Sequence, residues 1–173
     1  MTYAVEAGVP VILDAGGDEL KHAIGHGPDL VIAEVGTGPR NLADPGELGA
    51  TLVRLGAGAA AVAAGTVVSA ATADGEWTAR VEAPPAAGPA APGSEPGYAS
   101  ARGALVAGLV PGQLLGWSWP DRLRHALALA AGGAGTWTRE PGDAVERDRV
   151  DLAAYERLLD TVRVEPSITG YFK

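Results

Sequence analysis

Residues 9–34 read VPVILDAGGDELKHAIGHGPDLVIAE, and this stretch decides the fold. Val9 to Asp14 is a continuous apolar run that is too short for a helix and is typical of a strand covered on both faces. Asp18 then begins a short helix, and Leu30 to Ala33 is a second strand of the same kind. The order strand, helix, strand predicts a βαβ unit with parallel strands and a right-handed crossover.

The same alternation continues downstream. Asp44-Pro45-Gly46-Glu47 predicts a helix start, because it combines an N-cap carboxylate, a proline at the first helical position and a glutamate three residues on. Ala59 to Ala64 predicts a third buried strand. Val67 to Thr72 and Glu76 to Val81 flank Ala73-Asp74-Gly75, a hairpin signal. We therefore expect an α/β fold with a mostly parallel sheet, flanking helices and a β-hairpin at one side.

The second half of the chain predicts more helices after a break. Residues 83–97 contain repeated prolines and glycines, and they predict a loop or internal linker within a single domain spanning residues 1–173. Ser118 is a predicted N-cap for the second of the helices that follow. These helices and a final edge strand are predicted at Tyr98 to Val110, Pro120 to Ala131, Leu152 to Leu159 and Thr161 to Glu165.

Composition excludes several classes of function. The 173 residues contain no cysteine, so a disulfide framework and a thiolate metal site are both impossible. The net charge is -8 with 13 basic residues, which argues against binding to nucleic acid or to an anionic membrane. No stretch of about 18 residues is apolar enough to span a bilayer, and the first residues lack a basic leader. We expect a cytoplasmic protein with neither nucleic acid nor membrane as its partner.

Several motifs occur in an order that resembles a known family. They are VPVILDAGG at 9–17, TADGEW at 72–77, ALVAGLV at 104–110, DRLRHALALAAGGAG at 121–135 and VERDRVDLAAYERLLDTVRVE at 145–165. Over residues 5–165 the chain resembles the C-terminal half of a ribokinase-like carbohydrate kinase of the phosphofructokinase B type. The resemblance implies a truncated ribokinase-like domain that lacks the N-terminal half with its sugar-binding lid.

The residues that the family uses for phosphoryl transfer are replaced. The family's Gly-Ala-Gly-Asp signature forms an anion hole and supplies the catalytic base, and here the aligned residues are Pro96-Gly97-Tyr98-Ala99. Ala99 cannot accept a proton. The family's Lys-Pro-Asn after the second strand has become Ala33-Glu34-Val35, and its nucleotide loop, now residues 63–68, keeps only Gly65. We therefore expect a pseudokinase with no cofactor.

The remaining polar groups suggest a different site. Asp14 and Glu34 fall at the carboxyl ends of adjacent predicted parallel strands, where open α/β sheets bind ligands, and they could act as an acid/base pair. Gly97, Tyr98 and Arg102 could bind an anion or a hydroxyl group in the same crevice. The alternative is structural: Asp14 caps the following turn, Glu34 is solvated at the sheet edge, and Arg102 is a surface residue.

Histidine and tryptophan give weaker signals. His22 and His26 have the four-residue spacing of a helical metal pair, but glycines beside His26 indicate that the helix has ended, so no metal site is expected. Trp117, Trp119 and Trp137 could line a pocket for a flat or apolar ligand, although core or interface packing is the commoner role.

Three functions remain open on these residues. The first is a non-phosphorylating protein that binds a small metabolite or a protein partner. The second is a non-phosphorylating enzyme that uses Asp14 and Glu34, and the third is a residual kinase completed by a partner chain. We also expect a homodimer, because Val9 to Leu13 or Leu30 to Ala33 would leave an apolar strand edge, which soluble proteins cover. Either edge or its adjoining helix faces would form the interface.

Overall fold

The computed structural model describes residue 7 and residues 9–36, 42–82, 98–133 and 152–167. Its elements are β1 (Ile12–Asp14), α1 (Gly17–Ile24), β2 (Leu30–Glu34), α2 (Pro45–Arg54), β3 (Ala59–Ala64), β4 (Val67–Thr72), β5 (Glu76–Val81), α3 (Tyr98–Leu114), α4 (Trp119–Gly133), α5 (Leu152–Leu159) and β6 (Val162–Pro166). Two compact units are distinguished: Met1–Ala79 with Val164–Lys173, and Arg80–Arg163.

The six strands form one mixed sheet in the order β1-β2-β3-β4-β5-β6. The first three strands are parallel, which confirms the predicted α/β fold, and β4 runs antiparallel to β3. The pairing of β3 with β4 was not predicted from the sequence. It arises because Gly65, at φ +59°, allows the chain to reverse so tightly that Ala64 pairs with Val67.

The predicted hairpin is confirmed with the same bounds for β4 and β5. The Thr72 N–H donates to the carbonyl of Gly75 at 2.9 Å and closes the turn. The hydroxyl oxygen of Thr72 accepts from the N–H groups of Asp74 and Gly75, at 3.1 and 3.2 Å. A threonine at the end of β4 therefore satisfies turn donors that would otherwise need water.

The predicted last strand is confirmed as an edge strand, one residue later than expected. Glu82 N–H donates to Thr161 O at one end of β5, and Ser167 N–H donates to Glu76 O at the other end, so β6 is antiparallel to β5. Alternate residues of an edge strand turn their nitrogens away from the neighbouring strand. Because Ser167 points its N–H at β5, the nitrogen of Pro166 faces outward, where a missing N–H breaks no bond within the sheet.

One hydrophobic cluster of the first unit lies on one face of the parallel strands, and Leu13 packs against it. Its buried residues are Val31, Ala33, Ala60 and Val62 from the sheet, Ala57 before β3, Leu20 and Ile24 from α1, and Leu48 and Leu52 from α2. The opposite face of these strands also carries buried residues, among them Ile32 and Ala61. The predicted cap of α2 is confirmed, since Asp44 Oδ1 accepts from Glu47 N–H at 2.7 Å. Since side chains alternate along a strand, Asp14 and Glu34 point to the opposite face of the sheet.

The position of β2 corrects one of the two predicted edges. Leu30 to Ala33 was expected to expose its backbone, but β2 lies between β1 and β3 and is paired on both sides. Within the described residues the sheet ends at β1, which has three residues and begins at Ile12, three residues after the predicted start at Val9. Because β3 pairs with β2 on the side away from β1, both rows of backbone groups of β2 are hydrogen-bonded within the sheet.

Glu76 is a buried acid at the start of β5. The residue is 8% exposed, and its Oε2 atom has no hydrogen-bond partner. Two residues further along β5, Thr78 Oγ1 lies 3.2 Å from Ser69 Oγ and 2.8 Å from Ser167 Oγ, so three hydroxyls form a chain across β4, β5 and the residue after β6. The hydroxyls satisfy one another, whereas burial of the carboxylate oxygen without a donor costs free energy.

The second unit contains a hairpin of two long helices. Helix α3 packs against α4 so closely that a Cβ built on Gly108 would lie 2.3 Å from the Cα of Ala126. The helix runs four residues beyond its predicted end at Val110 and includes Pro111. The helix ends at Leu114, and Gly116, two residues later, has a φ of +69° that lets Trp117 N–H donate back to Gly112 O at 2.9 Å.

Helix α4 begins one residue before its predicted start at Pro120 and contacts α5 through polar and aromatic side chains. The hydroxyl of Ser118 accepts from Asp121 N–H at 3.4 Å, which confirms the expected cap. His125 Nδ1 is hydrogen-bonded to the Tyr155 hydroxyl of α5, and the His125 ring lies 4.7 Å from that of Trp117. Partial burial raises the pKa of Tyr155. This cluster accounts for Trp117 by packing within the second unit.

Candidate functional site

The candidate site lies at the carboxyl ends of the parallel strands, an end of the sheet that we call the strand-end edge. Asp14 is the last residue of β1 and pairs with Ile32, and Glu34 lies two residues beyond Ile32 at the end of β2. The two carboxylate residues therefore share one face, with Cα atoms roughly 8 Å apart by strand geometry. Asp14 is exposed and Glu34 is half-buried. This arrangement brings together the two acids that the sequence placed at strand ends.

A glycine with positive φ follows each of the three parallel strands. Gly17 has φ +60°, Gly36 has φ +80° and Gly65 has φ +59°. A Cβ built on any of them would meet no heavy atom within 4 Å outside its chain neighbours. At these three turns no side chain of the glycine itself shields the backbone, so a ligand could approach it. Sequence reasoning missed the set, although a glycine within three residues of each predicted strand end was a signal that could have revealed it.

The first turn of α1 lies beside this edge and is acidic. Asp18 Oδ1 accepts from Lys21 Nζ at 2.8 Å, and this hydrogen bond, together with the Lys21 charge, lowers the pKa of Asp18. His22 Nδ1 lies 2.7 Å from the carbonyl oxygen of Asp18. The N-cap residue Gly16 provides no side-chain bond to the helix. Asp18 and Glu19 so close to the open amides make the turn a poor place for a phosphate.

The other predicted ligand-binding residues belong to the second unit or lie outside the description. Gly97 lies outside the described residues. Tyr98 is the first residue of α3 and Arg102 is in its second turn, but the described part of the chain does not include their side chains. Ala99, the residue aligned with the family's catalytic base, is the second residue of α3.

The remaining sequence signals receive ordinary explanations where they are described. Residues 63–68, which align with the family's nucleotide loop, form paired ends of β3 and β4 and the two-residue turn Gly65-Thr66 between them. Trp119 lies under Arg122, whose guanidinium carbon is 4.9 Å from the ring, and Trp137 lies outside the described residues. Among the described residues, no three His, Asp or Glu side chains converge as metal ligands. No described helix is both long and apolar enough to cross a membrane.

Comparison with known proteins defines the class of fold. No family model and no curated protein matches this sequence. Solved structures do match. A possible 1-phosphofructokinase from Thermotoga maritima aligns with 95% of this chain and 50% of its own, at 19% identity and a TM-score of 0.67. A carbohydrate kinase from Agrobacterium tumefaciens aligns with 94% of this chain and 50% of its own, at 16% identity and a TM-score of 0.64. A Burkholderia thailandensis nucleoside kinase in complex with inosine aligns with 90% of this chain and 51% of its own, at 17% identity and a TM-score of 0.61.

The fold is therefore that of ribokinase-like carbohydrate kinases, as the sequence motifs predicted. The chain spans about half the length of the kinases it matches, and at these identities the likeness concerns the fold.

Proposed function

We propose that this chain is a sugar-kinase-like protein that has lost phosphoryl transfer and binds a small metabolite or a protein partner. The observation that carries the proposal is the start of α3 at Tyr98, which places Ala99 in the first turn. The resemblance expects an aspartate base at this point, directly after glycines whose amides hold phosphate. An alanine methyl group can neither take a proton nor orient a hydroxyl.

The shape and charge of the strand-end edge favour a ligand rich in hydroxyl or ammonium groups. Asp14 and Glu34 supply acceptor oxygens on one face, and Gly17, Gly36 and Gly65 leave room for a ligand to approach the backbone. Phosphate would meet two carboxylates here, and like charges at short range disfavour binding. A neutral polyol would instead accept hydrogen bonds from backbone N–H groups and donate them to the acids, whereas an ammonium group would only donate to the acids.

The test has a catalytic arm and a binding arm. Purified protein should neither hydrolyse ATP nor phosphorylate sugars above background, and magnesium-dependent ATP affinity should be weaker than about 1 mM. Activity that follows the protein through further purification, or micromolar ATP binding by calorimetry, contradicts the proposal. Ala99→Asp serves as the matched variant: it should stay inactive, because Tyr98 and the Gly65-Thr66 turn remain unsuited to phosphate.

A second candidate is an enzyme that performs acid/base chemistry on a small metabolite. It is favoured by the shared face and close spacing of Asp14 and Glu34. A third candidate, a kinase completed by a partner chain, is suggested by the alignment of this chain with only half of each related kinase. An unbiased metabolite screen by mass spectrometry separates the candidates, because a bound ligand, a converted substrate and a sugar phosphate give different masses.

A further inference from the structure

Arg122, in the first turn of α4, has no acidic partner among the residues that the structure describes. Its Nε–H donates to Trp117 O at 2.7 Å, and its Nη1 donates to the side-chain oxygen of Gln113. Both acceptors are neutral. Partial burial lowers the pKa of Arg122, and no neighbouring charge offsets this effect. Although the chain has 21 acidic and only 13 basic residues, neutral groups alone hold this guanidinium.

The acid next to Arg122 in the sequence is engaged elsewhere. Asp121 Oδ2 accepts from Ser118 Oγ at 2.5 Å, and Asp121 Oδ1 accepts from Arg124 Nη1 at 3.1 Å. Helix α3, which packs against α4, contains no aspartate or glutamate in its 17 residues. Arg124 is therefore a paired arginine, whereas the charge of Arg122, two residues away, lacks a counterion within the described ranges.

Packing fixes the position of the Arg122 side chain. A Cβ built on Gly112 would lie 2.6 Å from Arg122 Cγ, so the side chain crosses α3 at a residue without a side chain. Its guanidinium carbon lies 4.9 Å from the centre of the Trp119 ring. An arginine that is already held in place loses little conformational entropy when it binds a ligand.

The guanidinium keeps donors for a ligand. It has five N–H groups and uses two of them, so three remain. Because Arg122 can only donate, the oxygen of Gln113 must face it, and the amide N–H groups of Gln113 stay available for another acceptor. Both side chains are half-buried rather than sealed, so a small solute can reach them. Convergent donors around a positive charge select an oxyanion.

We infer that Arg122 and Gln113 bind the carboxylate group of a small organic anion. A planar carboxylate matches the fork of a guanidinium. A monoanion is also repelled less by the net charge of -8 than phosphate, which carries a second charge near neutral pH. Both residues belong to the second unit. This site is therefore distinct from the strand-end edge, where two acids disfavour an anion.

Titration with acetate tests the inference, with the sodium concentration held constant and chloride as the anion replaced. The Nε–H cross-peak of Arg122 in a nitrogen–proton NMR spectrum, assigned by its loss in Arg122→Lys, should shift and saturate. The expected Kd is about 1–30 mM, as for a single charge-assisted contact. The Nε–H cross-peak of Arg124 should not saturate, because its guanidinium already has an acidic partner. Inorganic phosphate should bind Arg122 more weakly than acetate.

Two variants with the same change in net charge provide the matched comparison. Gln113→Glu keeps an oxygen beside Arg122 and supplies a carboxylate from the chain itself, so acetate affinity should fall at least about tenfold. Arg124→Gln should leave acetate affinity unchanged. Gln113→Glu retains the packing of Arg122, so unfolding cannot account for a loss of binding.

Three results would overturn the inference. One is the absence of a saturating shift at Arg122 up to about 100 mM acetate, and another is an equal shift at Arg122 and Arg124. The third is unchanged acetate affinity in Gln113→Glu. Tighter binding of phosphate than of acetate would contradict the assignment of the site to carboxylates.

Discussion

A Cβ atom built on Gly108 would lie 2.3 Å from the Cα and 2.8 Å from the backbone nitrogen of Ala126. The obstacle is the backbone of α4, which cannot move aside as a flexible side chain can. Helices α3 and α4 are thus in direct backbone contact at this level, and the absence of a side chain at residue 108 permits it.

Gly108→Ala should therefore lower the free energy of unfolding by about 1–3 kcal/mol, because one added methyl group forces the helices apart. Gly103→Ala is the control in the same helix, since a Cβ there meets nothing within 4 Å. It should raise stability by about 0.5–1 kcal/mol through helix propensity. Urea unfolding measures both, and equal effects would show that the helices do not touch at Gly108.

Glu76→Met should raise the free energy of unfolding, because it replaces a buried and unsatisfied carboxylate oxygen with an apolar chain of similar length. We expect a gain of about 1–3 kcal/mol at neutral pH. Glu82→Met is the control, because Glu82 directly follows β5. Glu82 is exposed, and its 2.9 Å ion pair with Arg163 is a surface contact, so the control should change stability by less than about 1 kcal/mol. A loss of stability in Glu76→Met would reveal a partner for that carboxylate.

Asp18 should titrate below an ordinary aspartate, because the hydrogen bond and charge of Lys21 stabilise its ionised form. A carboxyl pKa that is lowered in the folded state contributes stability above the unfolded pKa and loses it as pH falls through the folded pKa. In Lys21→Met, carbon-detected NMR should show that the titration midpoint of the Asp18 carboxyl group has moved to higher pH. An unchanged titration in that variant would mean that the ion pair does not persist in solution.

Asp14→Asn and Glu34→Gln should each weaken binding of a hydroxyl-rich or amine ligand by about tenfold or more, since each removes a charged acceptor. If the chain is an enzyme, each should lower turnover by about 100-fold or more. Asp74→Asn is the control, because Asp74 is exposed in the β4–β5 turn, at the other end of the sheet. Calorimetry with the ligand from the metabolite screen measures the effect, and normal affinity in both variants would return the two acids to structural roles.

Elements with strong local signals were predictable from the sequence. The βαβ order, the Asp-Gly hairpin and the caps at Asp44 and Ser118 all depend on residues adjacent in the chain. The shared edge of Asp14 and Glu34 followed from the parallel order alone, because carboxyl ends of parallel strands meet at one edge.

Features that depend on distant contacts were not predictable. Helix α3 continues past Pro111 although proline has no N–H to donate. The Pro111 carbonyl still accepts from Leu115 N–H, and packing against α4 compensates for the missing donor. The interior position of β2 required knowing that β3 pairs beside it. The burial of Glu76 contradicts the usual exposure of glutamate, so no local pattern indicates it.

The outward nitrogen of Pro166 makes the β6 side of the sheet a poor place for another strand to pair. A strand from another molecule that tried to add beside β6 would find no donor at Pro166 and would meet the charged side chains of Arg163 and Glu165. Growth by strand addition is therefore blocked at that end of the sheet. If the folded protein is concentrated, association by strand addition therefore has to begin elsewhere than at β6.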